Sequence, residues 1–394
     1  MAHNRLLSAG QHHHLPARPR ARLPPRRGAA RMAAATPLRP SSATATAATH
    51  TATTIPTIST PTDALDALAN VDTLLVDQDG VLWRGNEDVP GAAAALASLQ
   101  LSGRRLVFVT NNSTLSRRGY ASKLSKRLGF EVKADQVVCS AWSAAEYLRS
   151  RGFGGGEPAS SGGNGNGSAK RAKKVLALGE AGLFEELDLA GIPALRGPVL
   201  EIPAASTPTA PLPPHLPLAS LDCSSGDIAA WELDPSISAV VVGWSARQFS
   251  YSWIAYAAAC LREIPGCELV VTNRDAADAL PSGRLLPGTG AILAAVEAAA
   301  WGGSSHTKSR AVDAGKGGEW LLRDLLPRAV PRFDPSTAAM IGDRLDTDVA
   351  FAVQGGFRAA FLTLTGVATR EQAESAAPER KPTHILPSIA NLTL

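Results

Sequence analysis

The first 62 residues of this 394-residue chain contain no aspartate, glutamate or lysine, although they hold eight arginines. The whole chain has a formal net charge of +4, so removing the +8 of this segment leaves −4 for residues 63–394. A mildly acidic body without a basic stripe is not typical of proteins that bind nucleic acid. We therefore expect no nucleic-acid partner, in spite of the basic pI.

Long apolar runs and paired cysteines are also missing. No stretch approaches the roughly 18 uninterrupted apolar residues of a membrane span, so no membrane partner is expected. The four cysteines include no CxxC pair, and a chain of this length needs no disulfide scaffold. Aromatic residues make up only 5% of the chain, while Leu, Val and Ala are abundant. This composition is typical of a buried parallel sheet covered by helices.

The N-terminal segment 1–62 has the composition of an organelle transit peptide. It is rich in Arg, Ala, Ser, Thr and Pro, and it cannot build a core. It has no compact apolar stretch near its start, which disfavours a secretory signal. The other interpretation is a disordered tail that carries no targeting signal.

Several short apolar runs end abruptly in polar loops, which predicts an open parallel α/β sheet. These runs are Thr73–Val76, Leu106–Val109 and Ala338–Ile341. Asp77 and Thr110 directly follow the first two runs, and Asp343 comes two residues after the third. Ligands of such sheets bind beyond the carboxyl ends of the strands, so we expect these polar residues to lie together.

The chain is predicted to contain a split α/β core with a second α/β domain inserted into it. The core consists of residues 63–138 and 283–394, and the inserted domain covers 139–282. Two low-complexity stretches interrupt the insert and predict flexible insertions, a Gly/Ser/Asn-rich one at 154–169 and a Pro-rich one at 203–226.

Three aspartates from two distant segments form a candidate magnesium site. Asp77 and Asp79 lie two residues apart after a strand, so one carboxylate and one backbone carbonyl can face a metal while the other carboxylate faces the substrate. Asp343 adds a second carboxylate, and Mg²⁺ keeps several waters, so this set suffices. The hydroxyl of Thr110, the backbone N–H groups after it and the ammonium of Lys316 can hold a phosphoryl group. The pattern predicts phosphoryl transfer.

In this order, the segments resemble the haloacid-dehalogenase superfamily, and more closely its 4-nitrophenyl phosphatase/phosphoglycolate phosphatase branch. The main matching stretches are DQDGVLW at 77–83, VTNNS at 109–113 and GDRLDTD at 342–348. Further similar stretches lie at 178–183, 272–275, 287–290 and 364–367. The resemblance implies a Rossmann-like parallel-sheet core with an inserted α/β cap of the C2 type, which closes over the core and selects the substrate.

The resemblance also assigns a role to each candidate residue. Asp77 is the nucleophile that forms an aspartyl-phosphate, and Asp79 is the acid and base. Asp77, the carbonyl of Asp79 and Asp343 hold Mg²⁺. The phosphate-binding residues are Thr110, Asn111, Asn112 and Lys316. Related ATPases usually have Thr in place of the acid, which leaves their phospho-enzyme long-lived, so the carboxylate favours rapid hydrolysis.

The sequence departs from the branch at three positions and leaves two assignments open. Gln78 stands where the branch usually has Cys, Ser245 stands where it has Asp, and Lys316 lies in Gly-Lys-Gly rather than Gly-Lys-Pro. Lys308 competes for the role of the phosphate-binding lysine. Asp348 can orient the lysine or a metal-bound water, or it can cap the following helix.

The branch favours 2-phosphoglycolate as the substrate. An organelle leader suits a chloroplast, where photorespiratory phosphoglycolate arises; a mitochondrial address is the alternative. Pyridoxal phosphate or a broad 4-nitrophenyl phosphate-type activity is the alternative within the class. A non-catalytic metabolite-binding regulator is the alternative from another class, although a pure binder needs no nucleophile together with a proton donor. Related caps sometimes dimerise, so the resemblance is compatible with a homodimer.

Overall fold

The computed structural model describes residues 54–155, 173–196, 232–246, 248–279, 284–302 and 309–394. Most of the predicted transit segment and of the insertion predicted at 154–169 lies outside the described residues. The insertion predicted at 203–226 and Lys308 lie wholly outside them. No helix in the described ranges combines the length and the hydropathy of a membrane span.

Short strands alternate with helices along the described chain. The strands are β1 Thr73–Val76, β2 Trp83–Arg84, β3 Glu87–Asp88, β4 Arg105–Thr110, β5 Val137–Cys139, β6 Lys174–Leu178, β7 Ala194–Arg196, β8 Ile237–Val242, β9 Glu268–Val271, β10 Ala277–Ala279, β11 Leu285–Pro287, β12 Val312–Asp313, β13 Ala338–Gly342, β14 Ala359–Thr363 and β15 His384–Leu386. The α-helices are Pro61–Ala67, Ala92–Leu101, Arg117–Leu128, Ser140–Ser150, Ala181–Leu189, Tyr251–Glu263, Thr289–Trp301, Leu326–Ala329, Ala350–Gln354 and Arg370–Glu374. Wide helical turns at Leu321–Leu325 and Leu345–Val349 precede two of the short helices.

The first sheet has six parallel strands in the order β15-β14-β13-β1-β4-β5. Strands β1, β13 and β14 are buried along their whole length, as expected for a sheet covered on both faces. The direction of winding reverses between β1 and β13, and such a switch point creates a crevice at the carboxyl ends of the strands. The predicted α/β parallel-sheet fold is confirmed.

The second sheet is also parallel, in the order β12-β9-β8-β6-β7. Helices Tyr251–Glu263 and Thr289–Trp301 cover one of its faces and form a separate apolar core with it. Helix Thr289–Trp301 and strand β12 thus lie with the second sheet, although both follow the predicted boundary at 282/283. An apolar helix face shows that a helix is buried, but it does not show which sheet the helix covers.

The predicted start of the insert, residue 139, still belongs to a strand of the first sheet. Strand β5 ends at Cys139 and pairs with β4 in the first sheet. The following helix, Ser140–Ser150, buries its apolar side chains in a cluster that contains the first sheet together with one face of the second. Strands of the second sheet run from Lys174 to Asp313.

Packed structure begins before the predicted start at residue 63. Ile55 and Ile58 are buried, and the N–H of Ile58 donates to the carbonyl of Ile385 at 2.9 Å. The hydroxyl of Thr60 and the carboxylate of Asp63 form a reciprocal cap at the start of helix Pro61–Ala67. Two isolated isoleucines in an Ala/Thr-rich segment give too weak a periodic signal to predict this contact.

The side chain of Gln78 is completely buried, and neither polar atom has a hydrogen-bond partner among the described residues. A buried polar group without a partner costs about 1–3 kcal/mol. We expect Gln78→Met, which keeps the volume and removes both polar atoms, to raise the free energy of unfolding by about 1–3 kcal/mol. Urea denaturation measures this change. An unchanged or lower free energy would show that the amide is satisfied in solution.

Candidate active site

A cavity of about 620 Å³ opens at the carboxyl ends of both parallel sheets. Every residue to which the resemblance assigned a role lines this cavity: Asp77, Asp79, Thr110, Asn111, Asn112, Lys316 and Asp343. Two of the positions that depart from the branch do not line it. Gln78 is buried in the core, and the hydroxyl of Ser245 donates to the carboxylate of Glu180 at 2.9 Å.

Asp77 follows the central strand β1 and is tied to a buried lysine. The ammonium of Lys316 donates to Asp77 Oδ1 and to Asp348 Oδ1. All three side chains are almost completely buried. Burial of a charge is costly unless the charge is paired, so this triad holds the three groups in fixed positions. Of the roles that the sequence left open for Asp348, the structure shows a contact with Lys316.

Burial and charge together set the protonation of these groups. Burial raises the pKa of the Asp77 carboxyl, and the adjacent ammonium of Lys316 opposes this rise. Burial would lower the pKa of Lys316, but the carboxylates of Asp348 and Asp77 raise it above its usual value. Burial and the nearby Asp348 raise the pKa of Asp343 to about 7. Such a concentration of buried carboxyl groups favours a bound divalent cation.

The residues present fit a hard metal ion. Carboxylate oxygens of Asp77, Asp343 and Asp348 lie within 4.8 Å of one another. Asp343 Oδ2 accepts the N–H of Val367 at 2.8 Å, whereas its Oδ1 is buried without a partner among the described residues. A buried carboxylate oxygen that the protein does not engage fits the role of a ligand to a hard cation. No described donor is bonded to the backbone carbonyl of Asp79.

Asp348 supports this site more than it supplies a ligand. Its Oδ2 accepts the N–H groups of Asp343 and Arg344, each at 3.1 Å, while its Oδ1 accepts the bond from Lys316. Because both oxygens are already used, we assign metal binding to Asp77 and Asp343 and positioning to Asp348. The backbone at Gly366 packs closely against the carboxylate of Asp343, since a Cβ at Gly366 would lie 1.9 Å from Asp343 Oδ2.

Asp79 differs from the other aspartates because its side chain is exposed to the cavity. Its Oδ1 accepts a 2.7 Å hydrogen bond from the indole Nε1 of Trp83, and its Oδ2 has no partner among the described residues. Trp83 is buried, so it fixes one side of the carboxylate and leaves the other free to exchange a proton.

We expect Trp83→Phe to lower kcat by about 10-fold, because loss of a hydrogen bond to a charged group lets Asp79 leave its productive position. Steady-state kinetics with a small phosphate ester measures the effect. Trp320→Phe is the matched control, since its indole also donates a hydrogen bond, to the carbonyl of Ser143 at 3.1 Å, but does not line the cavity. Equal losses in the two variants would contradict a positioning role for Trp83.

The side chains of Thr110 and Asn112 bond to the loop after β4 itself. Thr110 Oγ1 accepts the N–H of Asn112 at 3.1 Å. Asn112 Oδ1 accepts the N–H and the hydroxyl of Thr114, at 3.0 and 2.7 Å, so this amide braces the turn. Phosphate binding by Thr110 and Asn112 stays a prediction.

The side chain of Asn111 is fully engaged in protein contacts. Its Nδ2 donates to both carboxylate oxygens of Asp275 at 3.2 Å, and its Oδ1 accepts the N–H of Lys316 at 2.8 Å. Asn273 donates to the carbonyl of Asn111 at 2.8 Å. A role of Asn111 in phosphate binding therefore depends on its backbone, while its amide joins the loop after β4 to two loops of the second sheet, at Asp275 and at Lys316.

Asp275 is a positioning residue that the sequence did not single out. It was part of a similar stretch at 272–275, but no physical pattern linked it to Asn111, 164 positions earlier. Burial raises the pKa of Asp275, and the cationic groups of Arg344 and Lys316 oppose this rise. The contact of Trp83 with Asp79 was likewise not predicted, although their spacing of four residues was a usable signal.

We expect Asp275→Asn to reduce kcat/KM by about 10-fold to 100-fold, because a displacement of Asn111 shifts the backbone of Lys316 relative to the nucleophile. Asp188→Asn, which alters a solvent-exposed pair with Arg196, is the matched control. Steady-state kinetics and urea denaturation on the same preparations separate catalysis from stability. A loss of stability with unchanged kcat/KM would contradict the positioning role.

Comparison with known proteins gives consistent similarities. Residues 74–193 match the family described as haloacid dehalogenase-like hydrolase, and residues 313–392 match one described as HAD-hydrolase-like. The chain is 38% identical over 333 residues to the glycerol-3-phosphate phosphatase of Gallus gallus, which covers 82% of this chain and 92% of that protein. It is 34% identical over 312 residues to phosphoglycolate phosphatase 1A, chloroplastic, of Arabidopsis thaliana, which covers 79% of this chain and 73% of that protein.

Solved structures show the same relationship. The glycerol phosphate phosphatase of Mycobacterium tuberculosis, solved in complex with magnesium, has a TM-score of 0.58 and 28% identity. That similarity covers 83% of this chain and 78% of the other. A p-nitrophenyl phosphatase from Archaeoglobus fulgidus has a TM-score of 0.57 and 25% identity, and covers 82% of this chain and 98% of the other.

Proposed function

Because this chain belongs to the haloacid-dehalogenase-like hydrolases and is a phosphoric monoester hydrolase, we propose that it hydrolyses 2-phosphoglycolate to glycolate and phosphate with Mg²⁺. One observation carries the chemical part of the proposal. Carboxylate oxygens of buried Asp77 and Asp343 lie within 4.8 Å of each other, the ammonium of Lys316 donates to Asp77, and the exposed carboxylate of Asp79 lines the same cavity.

The first step forms an aspartyl-phosphate on Asp77. A carboxylate oxygen of Asp77 attacks the phosphorus atom, and the bond between phosphorus and the ester oxygen breaks. The ammonium of Lys316 offsets the negative charge that builds up on the phosphoryl oxygens. Asp79, held by Trp83, donates a proton to the departing glycolate oxygen.

The second step returns the enzyme to its starting state. Asp79, now ionised, accepts a proton from a water molecule that attacks the phosphorus atom, and the acyl-phosphate bond to Asp77 breaks. Inorganic phosphate leaves and Asp77 is again a carboxylate. Bound between Asp77, Asp343 and the carbonyl of Asp79, Mg²⁺ would supply positive charge beside the transferring phosphoryl group.

The choice of 2-phosphoglycolate is supported by the names of three relatives from Arabidopsis thaliana and by the composition of the leader. Glycerol 3-phosphate is the second candidate, because the relative that is 38% identical is named for that activity. Pyridoxal phosphate and 4-nitrophenyl phosphate are further candidates. The deciding experiment compares kcat/KM for these four esters, measured on the full chain with Mg²⁺ and with a chelator.

We expect 2-phosphoglycolate to have the highest kcat/KM, and the chelator to abolish turnover until Mg²⁺ is restored. A higher value for glycerol 3-phosphate would contradict the proposed substrate and leave the phosphatase activity standing. Binding of these esters without any turnover would favour a metabolite-binding regulator instead.

We further propose that the segment before the described residues directs the protein to the chloroplast, with the mitochondrion as the alternative. The Arg-rich, acid-free composition of this segment supports an organelle address. A fluorescent fusion to residues 1–62 tests the proposal, and diffuse fluorescence in the cytosol would contradict it.

A further inference from the structure

Three cationic side chains line the cavity among the described residues, and two of them are neutralised by carboxylates of the protein. Lys316 bonds to Asp77 and Asp348. Arg344 donates to both carboxylate oxygens of Asp346, at 3.3 and 3.2 Å. The third cation is Arg84, on the ribbon formed by β2 and β3.

The guanidinium of Arg84 is held by a hydrogen bond from its Nε rather than by an ion pair. Its Nε donates to the carbonyl of Thr365, and none of the ion pairs between described residues involves its guanidinium. The two terminal nitrogens of the guanidinium thus have no carboxylate partner among the described residues, and Arg84 lines the cavity. An arginine fork of this kind matches a carboxylate with two parallel hydrogen bonds.

The anchor of Arg84 is rigidly connected to the catalytic aspartates. Thr365 donates through its hydroxyl to the carbonyl of Gly80, at 2.6 Å, directly after Asp79. Two residues further on, the N–H of Val367 bonds to Asp343. The guanidinium therefore has a defined position relative to the metal-binding carboxylates.

We infer that Arg84 binds a second anionic group on the substrate, so that the enzyme selects small phosphate monoesters that also carry a carboxylate. This inference rests on the proposed function and names the residue behind its specificity. Glycerol 3-phosphate presents neutral hydroxyl groups at the corresponding end and gains less from the guanidinium. Hydrogen bonds to charged partners are stronger than those between neutral groups, so the carboxylated ester is favoured.

Glu87 limits this preference. It lies opposite Arg84 on the ribbon and lines the same cavity, without forming an ion pair with it. A substrate carboxylate bound to Arg84 therefore also meets the repulsion of Glu87. Removal of this charge in Glu87→Gln is expected to raise kcat/KM for 2-phosphoglycolate by about 2-fold to 5-fold and to leave glycerol 3-phosphate within about 2-fold.

The test compares kcat/KM for 2-phosphoglycolate and glycerol 3-phosphate in full-length Arg84→Gln, Arg84→Lys and Arg149→Gln. Arg149 is an exposed arginine on helix Ser140–Ser150, outside the cavity, and serves as the control. We expect Arg84→Gln to lower the value for 2-phosphoglycolate by about 10-fold to 100-fold, mainly through KM, and that for glycerol 3-phosphate by less than about 3-fold. Arg84→Lys is expected to restore part of the loss, and Arg149→Gln to change neither value.

The ratio of the two kcat/KM values does not depend on the fraction of folded enzyme, so a partly misfolded variant still gives an answer. An unchanged ratio in Arg84→Gln, with an active parent enzyme, overturns the role of Arg84 alone. Absence of turnover of every ester by the unaltered chain overturns the proposed function first. The two failures are therefore distinguishable.

Discussion

Asp77→Asn is expected to reduce kcat by at least about 10³-fold, because the amide cannot attack phosphorus to form the covalent intermediate. The change is nearly isosteric, so the bond from Lys316 keeps an oxygen acceptor, and the fold is expected to survive. Steady-state kinetics on the full chain with Mg²⁺ measures turnover, and near-ultraviolet circular dichroism compares the fold with that of the parent protein.

The control for this prediction is Asp135→Asn, an exposed aspartate in the turn before β5, which is expected to keep full activity. Turnover of more than a few per cent in Asp77→Asn, in a preparation free of deamidation, would remove Asp77 from the role of nucleophile. The circular dichroism spectrum shows whether a loss of turnover comes with a loss of fold.

Lys316→Met is expected to impair both activity and stability. The ammonium is 3% exposed and lies between the carboxylates of Asp77 and Asp348, so its removal leaves buried negative charge unpaired. Breaking a buried pair in this way costs about 3–5 kcal/mol. We expect this loss in the free energy of unfolding when metal is absent, together with a fall in kcat of at least about 10²-fold. Urea denaturation in a chelator and steady-state kinetics with Mg²⁺ give the two values.

Lys174→Met separates the effect of burial from the effect of charge. Lys174 pairs with Asp234 at 2.9 Å, but its side chain is 43% exposed. Exposed pairs contribute between about 0 and 1 kcal/mol, so this variant should be nearly as stable as the parent. Similar losses in the two lysine variants would contradict the buried triad as the cause.

Much of the site could be predicted from the sequence because it depends on local signals. The run Thr73–Val76 followed by Asp77, and the run Ala338–Ile341 followed by Asp343, each combine a buried strand with a polar end. Parallel strands bring their carboxyl ends to the same edge, so two local patterns were enough to predict that the aspartates meet. The structure brings their carboxylates together as expected.

The contacts that hold the site in shape could not be predicted in this way. Asn111 and Asp275 come from different sheets, and their hydrogen bond depends on how the sheets are packed rather than on any spacing in the chain. For the same reason the sequence does not show that helix Thr289–Trp301 packs on the second sheet, since its apolar face fits either core. Burial patterns carry information about distance from solvent but not about the identity of the neighbour.

The contact between Ile58 and strand β15 determines where the protein can be shortened. Residues 56–58 run alongside β15, the last strand of the first sheet, and exchange backbone hydrogen bonds with Ile385. An uncovered outer strand offers unpaired N–H and carbonyl groups to other chains and promotes aggregation. A recombinant version, or a naturally processed form, that begins at residue 63 would lose this cover. Cleavage before Thr54 preserves it, so shortened forms for laboratory use should keep the chain from that residue onward.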